Sequence, residues 1–177
     1  FVGRIQGQSI RNAAELARRL PLQLINSDTF ALLEGGPKVR RQFLDWGVFH
    51  VEHTFHRVWL DVHRCLRQRN ALLRHDRIAT DELGIWDARL AESAAQLDEL
   101  RARYFDAFYP VFQQTLRELV NLQGLELGYL RGWERDKPLA AVLAEQLERD
   151  RLRGFTHSGP HRADIRVRIR GLTSRPG

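Results

Sequence analysis

A seven-residue repeat of apolar side chains constrains the fold of this chain more than any other feature. Across residues 81–121 a large apolar residue stands at every seventh position, at Leu83, Leu90, Leu97, Tyr104 and Val111. Spacing sustained this far is typical of a helix that packs along a second helix in coiled-coil fashion. The repeat therefore predicts one long helix, which Pro110 is expected to kink.

Residues 38–75 are predicted to supply the partner helix. Their apolar stripe comprises Phe55, Trp59, Val62, Leu66 and Leu73. Gly47 and the segment 51–54 are candidate break points in this helix. Because only residues near 75–81 separate the two helical segments, the simplest arrangement is an antiparallel hairpin.

Shorter elements precede the hairpin. Helical spacing of apolar residues predicts a helix over 10–20, and an apolar run at 22–25 is typical of a short buried strand. Asp28 is expected to cap a short helical turn that ends at Gly35. Pro37 then fits the first position of the next helix.

Strands are predicted to flank a helix after the hairpin. Residues 125–130 alternate weakly, and residues 165–170 alternate strictly between apolar residues and arginines, which is typical of a half-buried strand. Between them, Asp136 is expected to cap a helix over 138–153, and Gly154 to end it. The pattern as a whole predicts an α+β fold that is mostly helical.

Positive charge is concentrated at one end of the chain. The 177 residues carry 28 Lys+Arg and 22 Asp+Glu, a formal net charge of +6. Residues 149–177 contain eight arginines and two acids, so residues 1–148 are neutral. Arginine binds phosphate well, which makes nucleic acid a natural partner. Arg166, Arg168 and Arg170 share the exposed face of the last strand, where the alternative is a charged edge that blocks edge-to-edge pairing.

Several catalytic and membrane motifs are missing from the sequence. It has no G-x-x-x-x-G-K-[ST] phosphate loop and no G-x-S-x-G nucleophile motif. No apolar run approaches ~18 residues, so no membrane-spanning segment is predicted. The single cysteine, Cys65, excludes a disulfide framework and favours a reducing cytosol. His50, His53, His56 and His63 lack the convergent spacing of a zinc site, so neither a metal ligand nor a catalytic residue is predicted.

The densest cluster of glycine, proline and charged residues covers residues 27–45. It reads S-D-T-F-A-L-L-E-G-G-P-K-V-R-R-Q-F-L-D. Arg40 and Arg41 stand near the start of a predicted helix, where the helix dipole disfavours cations. They therefore need an anion nearby, either a phosphate or an aspartate such as Asp45 or Asp28.

These residues carry a resemblance to the RecF family of bacterial DNA replication and repair proteins. The family pattern is close to P-[DE]-x3-L-[LIV]-x-G-[GS]-P-x2-R-R-x-[FY]-L-D, and Ser27 in place of proline is the one departure. Four further segments match in the family's order: D-W-G followed by F-H at 45–50, L-R-Q-R-N-A-L-L-R at 66–74, R-G-W at 131–133 and G-P-H-R-A-D at 159–164. The resemblance runs over nearly the whole chain.

The resemblance implies an ATP-dependent DNA clamp, an ABC-type ATPase related to the heads of SMC and Rad50 proteins. It implies cytoplasmic action on gapped or duplex DNA without sequence preference, in the repair of single-strand gaps and stalled replication forks. RecO and RecR are the implied partners, RecA loading the implied outcome, and an ATP-dependent homodimer the implied assembly. ATP and Mg²⁺ are implied cofactors of the full-length protein, as is a role in the SOS response.

The chain is expected to be an internal piece of such a protein. It has no methionine and begins with Phe1, and it lacks the Walker A, signature and Walker B motifs. We expect it neither to bind nor to hydrolyse ATP alone. The resemblance implies that 1–50 is part of the ATPase head, 51–121 a long antiparallel helical arm, and 122–177 a return segment to the partial head with the basic strand.

Candidate functional residues follow from the matched motifs. Arg40 and Arg41 are expected to couple nucleotide state to arm position or to contact DNA phosphate. His161 and Arg162 are expected to organise the interface that encloses ATP, with a purely structural turn as the alternative. A competing function for the whole chain is a non-catalytic arm that docks RecR or a second RecF, with DNA contacted elsewhere.

Overall fold

The computed structural model describes residues 3–5, 8–10, 14, 15, 17, 31–75, 80–120 and 124–169. Its helices are α1 (Ala31–Glu34), α2 (Pro37–Val51), α3 (Phe55–Leu73), α4 (Thr80–Leu119), α5 (Leu139–Glu145) and α6 (Leu147–Arg153). Its strands are β1 (Gly3–Ile5), β2 (Gln8–Ile10), β3 (Leu125–Leu130) and β4 (Asp164–Ile169), with a 3₁₀ turn at Pro160–Arg162. The predicted fold class, α+β and mostly helical, is confirmed.

Helices α3 and α4 form the predicted antiparallel hairpin. Arg69 of α3 pairs with Asp87 early in α4, whereas Glu52, just before α3, pairs with Arg103 further along α4. The first three positions of the heptad repeat in α4 are fully buried, as predicted. At its end Val111 is 63% exposed. The seam stops there because residue 103 already lies opposite the beginning of α3, so nothing on α3 reaches position 111.

Helix α2 begins and ends where the sequence predicts. Pro37 occupies its first turn, after an extended Gly36. The predicted break near 51–54 is confirmed, since α2 ends at Val51 and α3 starts at Phe55. The break expected at Gly47 is absent. The helix continues through Gly47, where the absence of a side chain makes room for the ring of Tyr104 from α4.

Two small antiparallel sheets complete the described fold. Strand β3 pairs with β4 in the register Leu125↔Ile169 to Leu130↔Asp164, and β1 pairs with β2. The strand predicted at 125–130 is confirmed, and the arginine strand is confirmed from Asp164 to Ile169. Arg170, Asp28 and the strand predicted at 22–25 lie outside the described residues, and of the helix predicted at 10–20 only 14, 15 and 17 are described as helical.

The helix predicted over 138–153 needs correction. It is interrupted at Gln146, which has φ −97° and ψ 3°, and so becomes α5 and α6. Asp136 does not cap it, because the cap position is Pro138 and no side chain bonds to the helix start. Gly154 ends α6 in the left-handed conformation with φ 70°, as predicted. Asp150 of α6 is completely buried.

Candidate nucleic-acid interface and the loop beside it

One loop is held by arginines that come from three different helices. Residues 154–164, which we call the clamped loop, connect α6 to β4 and contain the G-P-H-R-A-D motif. Arg69 of α3, Arg101 of α4 and the pair of arginines in α2 all bond to it. Such bonds satisfy polar groups that burial would otherwise leave without partners. The motif is therefore fixed to the base of the hairpin.

Arg69 is completely buried and lies at the centre of a polar cluster that is buried except at its edge. Its Nε is 2.6 Å from Asp87 Oδ1, and its Nη1 is 2.7 Å from Asp150 Oδ2 and 2.8 Å from Thr156 Oγ1. Asn70 Oδ1 accepts hydrogen bonds from the backbone N–H and the hydroxyl of Thr156. The cluster joins α3, α4 and α6 to the start of the clamped loop.

Arg101 makes a second buried connection. Its Nε and Nη2 bind the two carboxylate oxygens of Asp45 at 2.7 and 2.9 Å, and its Nη1 donates to the carbonyl of Pro160 at 2.8 Å. The bidentate form fixes the orientation of the guanidinium as well as its position. The middle of the clamped loop is thus tied to both α2 and α4.

Arg40 and Arg41 bind the end of the loop. Arg40 makes a bidentate pair with Asp164 at 2.8 and 3.0 Å and donates to the carbonyl of Gly35. Its bond to Asp164 raises the pKa of Arg40. Arg41 donates to the carbonyl of Ala163 at 2.8 Å, and burial lowers the pKa of its guanidinium. The anion that these cations require is therefore Asp164, while Asp45 pairs with Arg101.

His161 and Arg162 differ sharply in their surroundings. The Nε2–H of His161 donates to the carbonyl of Thr156 at 3.0 Å, and burial lowers the pKa of His161 to about 4. Its Nδ1 is buried and has no partner among the described residues. Arg162 is exposed, and its guanidinium makes only a distant contact, 5.9 Å, with the ring of Phe155. Of the two, only Arg162 is available to a partner.

Two glycines allow the close approach that this loop requires. Gly159 has φ 144° and Gly132 has φ 98°, conformations that favour glycine. The N–H of Gly159 donates to the carbonyl of Gly132 at 3.0 Å. A Cβ added at Gly132 would collide with the Gly159 carbonyl oxygen. The R-G-W and G-P-H-R-A-D segments are therefore one packed unit.

Strand β4 presents two free arginines. Arg166 and Arg168 are exposed, while Ile165 is 5% exposed on the opposite face. Neither arginine makes a hydrogen bond or an ion pair with another residue that the structure describes. Arg166 lies opposite Gly128 of β3, which has no side chain to meet it. Arg168 lies opposite Glu126 of β3 in the same register, so Arg166 is the arginine of this face with no acid across from it.

A cleft of about 490 Å³ lies beside Arg162. Asp98 accepts a hydrogen bond from Tyr129 at 2.9 Å and forms an ion pair with Arg131, whose Nε is 3.1 Å away. The guanidinium of Arg131 also stacks 3.9 Å above the ring of Trp133. Burial raises the pKa of Tyr129 well above its usual value. Asp98 and Trp133 already contact Arg131, but Arg135 and Arg162 also line this cleft and are exposed.

The residues that anchor the loop were not predicted from the sequence. Arg69 stands seven residues after Val62 and four before Leu73, both on the buried face of α3. Arg101 directly follows the buried Leu100. A charged residue among core positions is a signal of a buried ion pair, but the sequence does not say which acid lies opposite.

Neither a metal-binding cluster nor a membrane-spanning helix is found among the residues that the structure describes. No group of three or more histidine, cysteine or carboxylate side chains among them is arranged to hold a metal ion. No helix within the described ranges is both long and apolar enough to cross a membrane.

Comparison with solved structures defines the class of fold. A structure of the recombination mediator protein RecF-ATP in the RecFOR pathway superposes with a TM-score of 0.86 at 24% identity, over 96% of this chain and 48% of that one. A second structure, of RecF-ATPrS, has a TM-score of 0.80 at 23% identity. The hairpin, the sheet and the clamped loop therefore have the fold of a recombination mediator protein.

Sequence relatives then identify the family. The DNA replication and repair protein RecF of Pseudomonas fluorescens (strain Pf0-1) is 54% identical over 169 residues, which cover 96% of this chain and 46% of that protein. RecF of Stutzerimonas stutzeri (strain A1501) is 54% identical over 166 residues. No family model matches the chain. Over nearly all of its residues the chain is homologous to RecF proteins, and it spans about half the length of these relatives.

Proposed function

We propose that this chain supplies the helical arm and part of the head of an ATP-dependent, DNA-binding repair protein. The observation that carries the proposal is the contrast between arginines. Arg166 and Arg168 on β4, together with Arg162, are exposed and unpaired, whereas the arginines around the clamped loop are bound to protein groups. Free arginines on a rigid strand suit phosphate contacts, which give affinity without sequence readout.

Arg40 and Arg41 have a coupling role in this proposal. Their guanidinium groups bind Asp164, the first residue of β4, and the carbonyl of Ala163 just before it. A shift of α2 would therefore move the strand that carries the free arginines. His161, neutral and buried, supports the turn, while Arg162 projects from it towards a partner.

The remaining functions are proposed from the resemblance to the RecF family. Recombinational repair with RecO and RecR, RecA loading, an ATP-dependent homodimer, and ATP with Mg²⁺ as cofactors are proposed for the longer protein, acting in the cytoplasm. The proposed division of the chain is a head segment over 1–50, an arm over 51–121 and a return segment over 122–177. In this proposal the chain itself hydrolyses no ATP.

The proposal is tested by removing the strand arginines. In the β4 variant, Arg166, Arg168 and Arg170 are replaced by Gln. Anisotropy with a labelled gapped duplex of about 30 base pairs should show weaker binding, with a salt slope lower by about 2.7 for three lost phosphate contacts. Circular dichroism verifies folding. If affinity and slope are unchanged in a folded variant, these arginines serve only to block edge-to-edge strand pairing, and the proposal fails.

A control variant with the same change in net charge comes from α4. Arg89, Arg103 and Arg117 are exposed, and their joint replacement by Gln also removes three charges. The control should keep the wild-type slope. An equal loss in both variants would mean that net charge alone drives binding.

A docking arm is a second candidate function, favoured by one observation. Beyond the hairpin seam, α4 exposes Val111 at 63% and Leu119 at 77%. Large apolar side chains in water are stabilised when a partner covers them. Replacing both with Ser should abolish any self-association seen by sedimentation. An unchanged sedimentation profile would argue against a second copy as the partner.

A further inference from the structure

The outer face of α3 carries cations that the hairpin does not use. The arginines Arg57, Arg64 and Arg67 are all exposed. None of them makes a hydrogen bond or an ion pair with any residue in the described ranges. Position 64 follows position 57 by two helical turns and precedes position 67 by about one, so the three lie along one side of the helix. The exposed Asp61 lies between Arg57 and Arg64 on the same side.

The two helices of the hairpin have opposite charge. Helix α3 contains four arginines and one aspartate, a net charge of +3, whereas α4 contains four arginines and eight acids, a net charge of −4. The neutrality of residues 1–148 therefore conceals a strong separation of charge. Across the hairpin, only the buried Arg69 of α3 pairs with an acid of α4 in the described structure.

This arrangement is not explained by stability of the hairpin. If the exposed arginines of α3 stabilised it, they would pair with the acids of α4, and they do not. Arg57 lies in the first turn of α3 and the other two lie in its middle, so none of them is in the C-terminal turn, where the helix dipole would favour cations. Arg74 does lie at that end, and it donates to the carbonyl of Gly154. Its role is therefore structural, and it does not belong to the exposed arginine face.

We propose that the outer face of α3 binds the phosphate backbone of duplex DNA through Arg57, Arg64 and Arg67. This inference rests on the proposed DNA-binding function and adds a second contact surface to it. The ten residue steps from Arg57 to Arg67 rise about 15 Å, and about 15 Å of duplex presents roughly nine phosphate charges. The face is thus matched to a continuous polyanion, and the acidic α4 orients the duplex towards α3.

The test compares three variants of the full chain. In the α3 variant, Arg57, Arg64 and Arg67 become Gln; the β4 variant and the α4 control are those described above. Anisotropy with a duplex of about 30 base pairs is measured between about 50 and 200 mM salt. We expect the α3 variant to bind roughly tenfold or more weakly at intermediate salt and to lose about 2.7 from the salt slope. The α4 control should stay within about twofold of wild type.

The outcomes separate this inference from the proposed function. An α3 variant with wild-type affinity and slope overturns the inference, and points to an acidic protein surface as the occupant of this face. If the β4 variant is weakened in the same experiment, the proposed function stands without the α3 contact. If only the α3 variant is weakened, the α3 contact stands and the β4 assignment fails. Equal weakening of the α4 control overturns the α3 contact in favour of net charge.

Discussion

Arg101 supports the clamped loop through bonds that no other side chain can replace. It is 2% exposed and binds Asp45 and the carbonyl of Pro160. Replacement by Gln would leave the carboxylate of Asp45 largely buried without its cation. Because an unpaired buried charge is costly, we expect a loss of about 3 kcal/mol in the free energy of unfolding, measured by urea denaturation.

A matched control for this prediction lies two residues away on the same helix. Arg103 pairs with Glu52, but its side chain is 56% exposed. Solvent screening leaves such a pair worth at most about 1 kcal/mol. Arg103→Gln should therefore change the unfolding free energy little. If both variants lost the same free energy of unfolding, burial of the Arg101–Asp45 pair would not increase its contribution to stability.

His161 gives the chain a pH-dependent stability with a defined sign. Burial lowers its pKa in the folded state to about 4, below the ordinary value of 6.5. Between these values the unfolded chain binds more protons than the folded one. The contribution of neutral His161 to the free energy of unfolding is therefore fully present above pH 6.5. It declines as the pH falls towards about 4, by about 1 kcal/mol per pH unit.

The variant His161→Gln isolates this contribution. Gln retains a donor for the carbonyl of Thr156 but does not titrate in this range. Urea denaturation at several pH values between about 4 and 7 should give a flatter profile for the variant than for wild type. The exposed His75→Gln is the control, and its profile should follow wild type. A variant profile as steep as that of wild type would contradict the assignment.

Gly47 shows how an element is adapted to its neighbour. Within a helix, alanine is normally more stable than glycine by up to about 1 kcal/mol. At Gly47 a Cβ would collide with the ring of Tyr104, which packs against Phe108. Gly47→Ala should therefore destabilise the protein by about 1–3 kcal/mol, as overpacking does, measured as a lower urea midpoint.

Gly84 of α4 provides the opposite case. A Cβ there meets nothing within 4 Å, so Gly84→Ala should stabilise the chain by up to about 1 kcal/mol. In addition, Tyr104→Leu should relieve most of the effect of Gly47→Ala, because it removes the colliding atoms. If Gly47→Ala and Gly84→Ala both stabilise the protein, the contact with Tyr104 does not restrict position 47 to glycine.

The same elements show what periodicity can predict. The heptads of α4 and the stripe of α3 gave the hairpin and its buried seam, because packing requires apolar residues at that spacing. Periodicity did not predict that the buried seam ends before Val111, because the end of the seam depends on where α3 begins. It also missed the interruption at Gln146, since residues 139–153 keep a helical pattern on both sides of it.

Across the whole molecule, the sequence predicted the family but not the ion pairs that connect its parts. The motifs at 27–45 and 159–164 identified the RecF resemblance, which the relatives confirm. They did not predict that Arg40 would bind Asp164, 124 residues later. Composition cannot give such a pairing, because the chain has 22 acids and only the folded geometry selects among them.

The buried cluster around Arg69 is expected to make the hairpin and the clamped loop one cooperative unit. Its guanidinium binds Asp87 of α4, Asp150 of α6 and Thr156 of the loop. In Arg69→Ala, the buried carboxylate of Asp150 loses its cation, so α6 and the loop should open more readily than the hairpin, whose apolar seam is intact.

Hydrogen exchange measured by mass spectrometry tests this coupling. In Arg69→Ala, amides of residues 150–158 should exchange at least about tenfold faster, which corresponds to a local loss of about 1.4 kcal/mol. Amides of residues 86–100 should change much less. Arg67→Ala, an exposed neighbour, should leave both regions as in wild type. Uniform acceleration along the chain in Arg69→Ala would mean that the cluster stabilises the whole fold without linking these two parts, and the coupling would be rejected.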